Sequence, residues 1–544
     1  MKVTEALTYV KSKDFAKILY KIYGKYMMNQ RERYIRLLER AKEIFGEEAN
    51  IILSRAPGRV NLMGRHVDYM GGFVNPVATS FDVLAVLERR NDDVVRLFNI
   101  DPSYESGLFK ISEELPDTEI KTLSDWDRWT TKVGEERRNM GLKYTWIDYV
   151  KGLFIYLQCM FKARITLDGF NILIDGNIPP KKGMSSSSAL VIAVALALKS
   201  IYRFNVSIGD FIDIVGYSEW YRLTRGGTAD HAAIILSKKG FVSHISCLPT
   251  RANEVKYAPL PKNYLFYLID SGIERPHTEE AFNLLRSTAA SYRIGVLLIK
   301  SLFPQYADKI KLLRDFNIRN LGISLVDLYK MLKKIPERIT RKQLLTIIDE
   351  KYHDELNTIF SNHKEPSEGY RLRENIVYGL SETERARVFP NFLMRGDING
   401  ILRLFEVSHD GDRVFRFDKT FNMKEWNSSY SSSDEMLNKY IEILKGEYSS
   451  EIKEKVQLHW ISGGYRRSIE EIDFICDYIR NYYKEYSAAQ LMGAGLGGNV
   501  LIIIRKDKVN EIFEKLSKVY NERYGIRLNF LRVVSGEGAK IIIQ

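Results

Sequence analysis

The stretch Gly176-Asn-Ile-Pro-Pro-Lys-Lys-Gly-Met-Ser-Ser-Ser-Ser-Ala-Leu190 joins two segments of opposite periodicity. Before it, Gly169-Phe-Asn-Ile-Leu-Ile-Asp175 alternates apolar and polar residues as a strand does. After it, Ala189 to Ser200 is rich in Ala, Leu and Val without a breaker, which predicts a buried helix. A glycine- and hydroxyl-bearing loop at such a joint presents free backbone N–H groups and the positive helix end to one point, the physics of a phosphate cradle. Ser185 to Ser188 add hydroxyls for phosphate oxygens and for a hard cation. No Gly-Lys-Ser/Thr closes the loop, so it is not a Walker A sequence. Taken alone, such a loop is more often a plain serine-rich linker or a helix cap than a phosphate site.

The chain's 544 residues predict two to four domains. Its 45% hydrophobic and 28% charged residues are those of a globular protein. No apolar run has the length of a membrane span, and no signal-peptide core follows Met1. Cys159, Cys247 and Cys476 are scattered, which suits a reducing compartment and forms no zinc-ligand pair. These features predict a soluble cytoplasmic protein with no membrane partner. The net charge of +12 raises nucleic-acid binding, but the basic residues are interleaved with 69 acidic ones. No nucleic-acid partner is expected; attraction of an anionic nucleotide is the milder reading.

An amphipathic helix is predicted from about Tyr26 to Phe45. The strand Ala49–Ser54 then runs into a loop, Arg55-Ala-Pro-Gly-Arg-Val-Asn-Leu-Met-Gly-Arg-His-Val-Asp-Tyr-Met-Gly-Gly72, crowded with the residue types of a site on a turn. Strands follow at Val83–Glu88 and Val94–Ile100; residues 105–140 have no clear periodicity. Trp146–Gln158 and Ile208–Tyr221 read as helices, and Arg225-Gly-Gly-Thr-Ala-Asp-His231 as a Gly-rich break. Two prolines near Pro259 mark a boundary before the strand Tyr264–Asp270. Helical patterns dominate to about Tyr440. Ala488 to Ile504 then joins a Gly turn to a strand, Val509–Tyr524 is helical, and Ala539–Gln544 is a closing strand.

Three motifs in this order resemble the GHMP small-molecule kinases, the galactokinase branch in particular. Arg55 to Gly72 is similar to that branch's Pro-Gly-Arg-Val-Asn-Leu…Gly-Glu-His-Thr-Asp-Tyr-Asn-x-Gly, Pro179 to Ala189 to the nucleotide loop, and Gly493-Ala-Gly-Leu-Gly-Gly498 to the C-terminal glycine loop. Trp146 to Gly152, Arg395-Gly-Asp397 with Ser408-His409, and Gly536 to Ile541 resemble further family stretches. The resemblance implies an α/β (α+β) two-domain fold with nucleotide and sugar bound between the domains. It implies an N-terminal helical extension over 1–48, an N-terminal kinase domain over 49–262, and a C-terminal domain over 263–544 with a helical insertion around 303–370.

The implied activity is ATP-dependent phosphorylation of the anomeric hydroxyl of galactose or a related monosaccharide, with Mg²⁺. By position, Asp230 matches the family's base and Arg59 its signature arginine. Lys182, Gly183, Met184 and Ser185 to Ser188 match the ATP loop, and Ser186, Ser187 and Glu219 the metal ligands. His66, Asp68 and Gly227 match the sugar site, while Gly493, Gly495, Gly497 and Gly498 would close the active site. The expected partners are a sugar and ATP, and the expected assembly a monomer or homodimer.

Arg65 departs from the pattern, standing where the branch has Glu. It offers donors only, where Glu accepts. Either Arg65 faces an anionic sugar such as a uronic acid, or it turns away to pair with Asp68 or Asp82. Lys181 and Lys182 replace small residues. A non-catalytic sugar sensor is the rival reading; Gly183 through Ala189 is intact, which favours the kinase.

Overall fold

The computed structural model describes residues 1–180 and 182–544; Lys181 lies outside the described residues. Two sheets frame it. Six strands hydrogen-bond in the order Lys540–Ile543, Ile51–Asn61, Pro76–Arg89, Phe170–Gly176, Val94–Asn99 and Gly107–Lys110. Among the described residues its pairings are antiparallel except that of Val94–Asn99 with Phe170–Gly176. The second sheet is antiparallel, in the order Ser487–Met492, Asn499–Arg505, Tyr264–Asp270 and Asn529–Val533. The expected two-domain α/β architecture is thus the one adopted. The C-terminal part does not stay by itself, however: the last strand returns to the first sheet, with Ile543 opposite Leu53.

Strand periodicity explains why the first sheet needs two covers. Ala85, Leu87, Ile172 and Ile174 face a core shared with the helices Ile147–Phe161 and Ser186–Tyr202. Their neighbours Leu84, Val86 and Leu173 point the other way. The N-terminal helices Val3–Val10, Lys13–Tyr23 and Met27–Phe45 cover that second face, burying Phe15, Leu19, Tyr34 and Leu38 against it. Charge stitches this layer down. Arg33 reaches Asp82 at 2.6 Å and Asp175 at 3.1 Å, and the buried Arg55 and Tyr23 complete the shell around Asp82. Asp82 is therefore not available to Arg65.

Residues 303–370 are mainly helical and share a separate core with Glu279–Leu302 and Leu372–Arg395. Residues 105–140 resolve into the edge strand Gly107–Lys110 and the capped helix Leu123–Asn139, in which Trp126 is fully buried. No helix among the described residues is long and apolar enough to cross a membrane.

Candidate active site

The first strand does not end at Ser54 as its sequence predicts; it continues to Asn61. Pro57 and Gly58 are tolerated because the register shifts between Pro57 and Arg59. At that irregularity a Cβ on Gly58 would lie 2.9 Å from the Met184 carbonyl, and the Arg59 amide donates to the same carbonyl at 3.1 Å. The serine-rich loop thus docks on the bulged strand by backbone contact, which only glycine at 58 permits.

Ser185 stands in a left-handed conformation (φ 54°) just before the helix Ser186–Tyr202, and its side chain makes no capping bond to that helix. Its hydroxyl donates to Asp230 Oδ2. Ser186 is exposed at the first helical position, and Ser187 donates to Glu219 at 3.4 Å. Ser188, expected beside the nucleotide, is 4% exposed. The helical step of about 100° per residue turns it into the core, so the run supplies three outward hydroxyls rather than four.

Asp230 and His231 do not lie in the Gly-rich break. They occupy the first turn of the helix Ala229–Leu236, and Thr228 before it is fixed by bonds to Asp213 (2.8 Å) and Thr250 (3.0 Å). Arg59 Nε and Nη2 lie 2.8 and 2.6 Å from Asp230 Oδ1, while Nη1 donates to the Gly183 carbonyl. Burial pushes the Asp230 carboxyl up, but the charge of Arg59 and the bonds from Ser185 and Arg59 outweigh it and hold the group below its ordinary range. Asp68 is shifted oppositely: burial and then the nearby Asp230 charge raise it. A Cβ at Gly227 would lie 2.8 Å from Asp68 Oδ2, which places Gly227 against that carboxyl.

A cavity of about 250 Å³ opens between these groups, lined by Arg59, His66, Asp68, Tyr69, Asp230 and Gly493 among others. His66 stacks on Tyr465, ring centroids 4.1 Å apart. The C-terminal loop contributes Met492, Gly493 and Ala494 to the wall, and Met492 approaches Gly183. Gly495, Gly497 and Gly498, expected to close the site with Gly493, face elsewhere. A Cβ on Gly495 would lie 2.2 Å from the Arg467 carbonyl, one on Gly497 2.8 Å from that of Ile273, and Gly498 donates to Ile273 at 2.8 Å. They shape the turn behind the cavity wall.

Arg65 borders the cavity, yet its guanidinium is committed to protein. It pairs with Asp412 at 2.7 Å and donates to the Ser408 hydroxyl (3.1 Å) and the Leu491 carbonyl (2.5 Å), at 4% exposure. Asp412 is held at about 2: burial alone would raise it, but His66 and Arg65 beside it prevail. Of the expected alternatives, turning away is the one adopted, with Asp412 as partner instead of Asp68 or Asp82. Lys182 also has a protein partner, Asp270, at the end of a second-sheet strand. Sequence reading missed Glu382, which accepts the Gly64 and Arg65 amides at 2.9 and 3.1 Å and thereby fixes the sugar-signature turn. It also missed Asp412, Tyr69 as a wall residue, and His231, whose Nε2 lies 2.8 Å from Glu219 Oε1.

The residues that would hold Mg²⁺ fit its chemistry. Ser187 and Glu219 offer a hydroxyl and a carboxylate oxygen 3.4 Å apart at the helix N-terminus, and Mg²⁺ is usually held by one or two carboxylates together with substrate phosphates and water.

Three family descriptions match the chain in order: "Galactokinase galactose-binding signature" over residues 42–89, "GHMP kinases N terminal domain" over 148–238, and "GHMP kinases C terminal" over 447–522. Among solved structures, Lactococcus lactis galactokinase complexed with galactose matches with a TM-score of 0.60 at 18% identity, over 93% of this chain and 98% of that one. The Lin0012 protein from Listeria innocua matches at 0.44 and 14% identity (91% and 99% covered). A D-glycero-D-manno-heptose 1-phosphate kinase from Bacteriodes thetaiotaomicron matches at 0.41 and 10% (91% and 100%). The ordered domain matches and the shared fold together make the chain similar to the two-domain GHMP kinases. The match over residues 42–89 is to the galactose-binding signature of galactokinases, so within that likeness the similarity is to the galactokinase-like kinases.

Proposed function

We propose that the chain transfers the γ-phosphoryl group of ATP to the anomeric hydroxyl of galactose or a related neutral monosaccharide. The observation that carries this reading is the convergence of Arg59, Ser185 and Asp230 where the cavity meets the N-terminus of the helix Ser186–Tyr202. In that reading Asp230 accepts the hydroxyl proton as the sugar oxygen attacks phosphorus and the bond to ADP breaks. Arg59 keeps Asp230 ionised and, as a permanent cation, offsets charge developing on the transferred group. Ser186 and the free amides of the helix start hold the phosphates, Ser185 orients Asp230 through its hydroxyl, and Gly183 lets the backbone approach the phosphates. Ser187 and Glu219 hold Mg²⁺, which when bound neutralises phosphate charge. His66, Asp68 and Tyr69 contact the sugar.

A uronic acid as substrate loses its main support, since both terminal nitrogens of the Arg65 guanidinium are engaged by Asp412, the Leu491 carbonyl and the carbonyl and hydroxyl of Ser408. ADP release measured over galactose, arabinose, galacturonate and other free sugars tests the proposal. Turnover of a neutral sugar with an anomeric phosphate in the product supports it. ATP binding without turnover of any sugar would favour a sensor.

A further inference from the structure

Glu219 begins the short helical turn Glu219–Arg222 and its side chain is 11% exposed. Its two oxygens face different partners. Oε2 faces the Ser187 hydroxyl at 3.4 Å, and Oε1 receives His231 Nε2 at 2.8 Å. His231 is 3% exposed, and its Nδ1 is buried with no hydrogen-bond partner. That nitrogen is pressed toward Gly216, where a Cβ would come within 3.2 Å of it. With no acceptor near Nδ1, the ring's N–H is at Nε2, and its single hydrogen bond is the one to Glu219. A carboxylate with one oxygen pinned in this way has the direction of the other oxygen fixed. His231 also follows Asp230 directly on the helix Ala229–Leu236, so one rigid first turn places the carboxylate beside Arg59 and the imidazole behind Glu219.

We infer that His231 is a positioning residue: it holds the Glu219 carboxylate so that its other oxygen and the Ser187 hydroxyl meet one divalent cation. This rests on the reading of Ser187 and Glu219 as cation ligands. Paramagnetic Mn²⁺ is the probe, its binding to the full-length protein with a non-hydrolysable ATP analogue followed by electron paramagnetic resonance. Two polar variants separate the hydrogen bond from mere packing. The amide nitrogen of His231→Gln reaches the Nε2 position, and that of His231→Asn stops at the Nδ1 position, short of Glu219. His231→Asn is expected to weaken Mn²⁺ binding by ~10- to 100-fold, the usual effect of losing a group that orients a metal ligand. His231→Gln is expected to restore it to within about threefold, and metal-free analogue binding is expected to be unchanged in both. Equal Mn²⁺ affinity of the Asn and Gln variants would overturn the inference. Glu219→Gln separates the two levels. If it fails to weaken Mn²⁺ binding, the ligand assignment itself falls; if it weakens binding while His231→Asn does not, the role of His231 alone falls.

Discussion

Arg59 lies across the carboxylate of Asp230, with Nη2 at 2.6 Å and Nε at 2.8 Å from one oxygen, while Ser185 holds the other. Two elements far apart in the chain, a bulged strand and the first turn of a helix, are brought together by the serine loop that docks between them. The carboxylate is thereby ionised and oriented before any substrate enters, which is what a base for phosphoryl transfer requires.

The acid side of the pH–rate profile follows from this pair. Asp230 is held below its ordinary range, so its carboxylate stays deprotonated until the pH falls beneath the usual carboxylate value. Removing the cation with Arg59→Met lets burial dominate and raises the group. The acidic limb of kcat is then expected to move to higher pH, with a lower plateau. A profile unchanged in position would separate Arg59 from the ionisation of Asp230.

Arg65 is predicted to govern folding rather than sugar choice. Removing one member of a buried ion pair leaves an uncompensated charge, so Arg65→Met is expected to lower stability by about 3–5 kcal/mol in denaturant titrations. Arg65→Glu would face both Asp412 and Glu382 and is expected to lose soluble protein rather than change preference among sugars. The pair also sets an acid limit. Asp412 sits at about 2, below the ordinary carboxylate value of about 4. Its contribution is therefore complete above that ordinary value and is lost as pH falls toward 2.

The N-terminal layer is predicted to be obligatory. Deleting residues 1–46 would uncover Leu53, Leu84, Val86 and Leu173 and leave Asp82 without Arg33. The expected outcome is aggregated protein on size exclusion with raised binding of a hydrophobic dye. A monodisperse truncated protein of unchanged melting temperature would contradict this.

The sequence disclosed what is local. The hydroxyl loop, its strand and its helix were legible because strand, turn and helix periods change within a few residues there; Arg59 and Asp230 stood out only through the motif resemblance. What it hid depends on distance or on tertiary override. Arg65 and Asp412 are separated by 347 positions, and nothing in either neighbourhood pairs them. Arg373, Glu374, Glu382 and Arg385 are charged residues of one helix, yet all are buried: Arg385 pairs with Glu382, Arg373 pairs with Asp434 and donates to the Ile335 carbonyl, and Glu374 accepts from the Ser428 hydroxyl. Pro57 and Gly58 read as strand breakers, but a register shift absorbs them. Ser188 is indistinguishable from its neighbours in a run of four, and only helix phase turns it inward.

The central claim is that Asp230 accepts the sugar proton, and the most direct measurement is single-turnover phosphoryl transfer by Asp230→Asn with a neutral hexose at saturating ATP. A fall of about 10²- to 10⁴-fold in the chemical step, with circular dichroism and ATP affinity retained, is predicted. Transfer at the unaltered rate by a folded Asp230→Asn protein would contradict it.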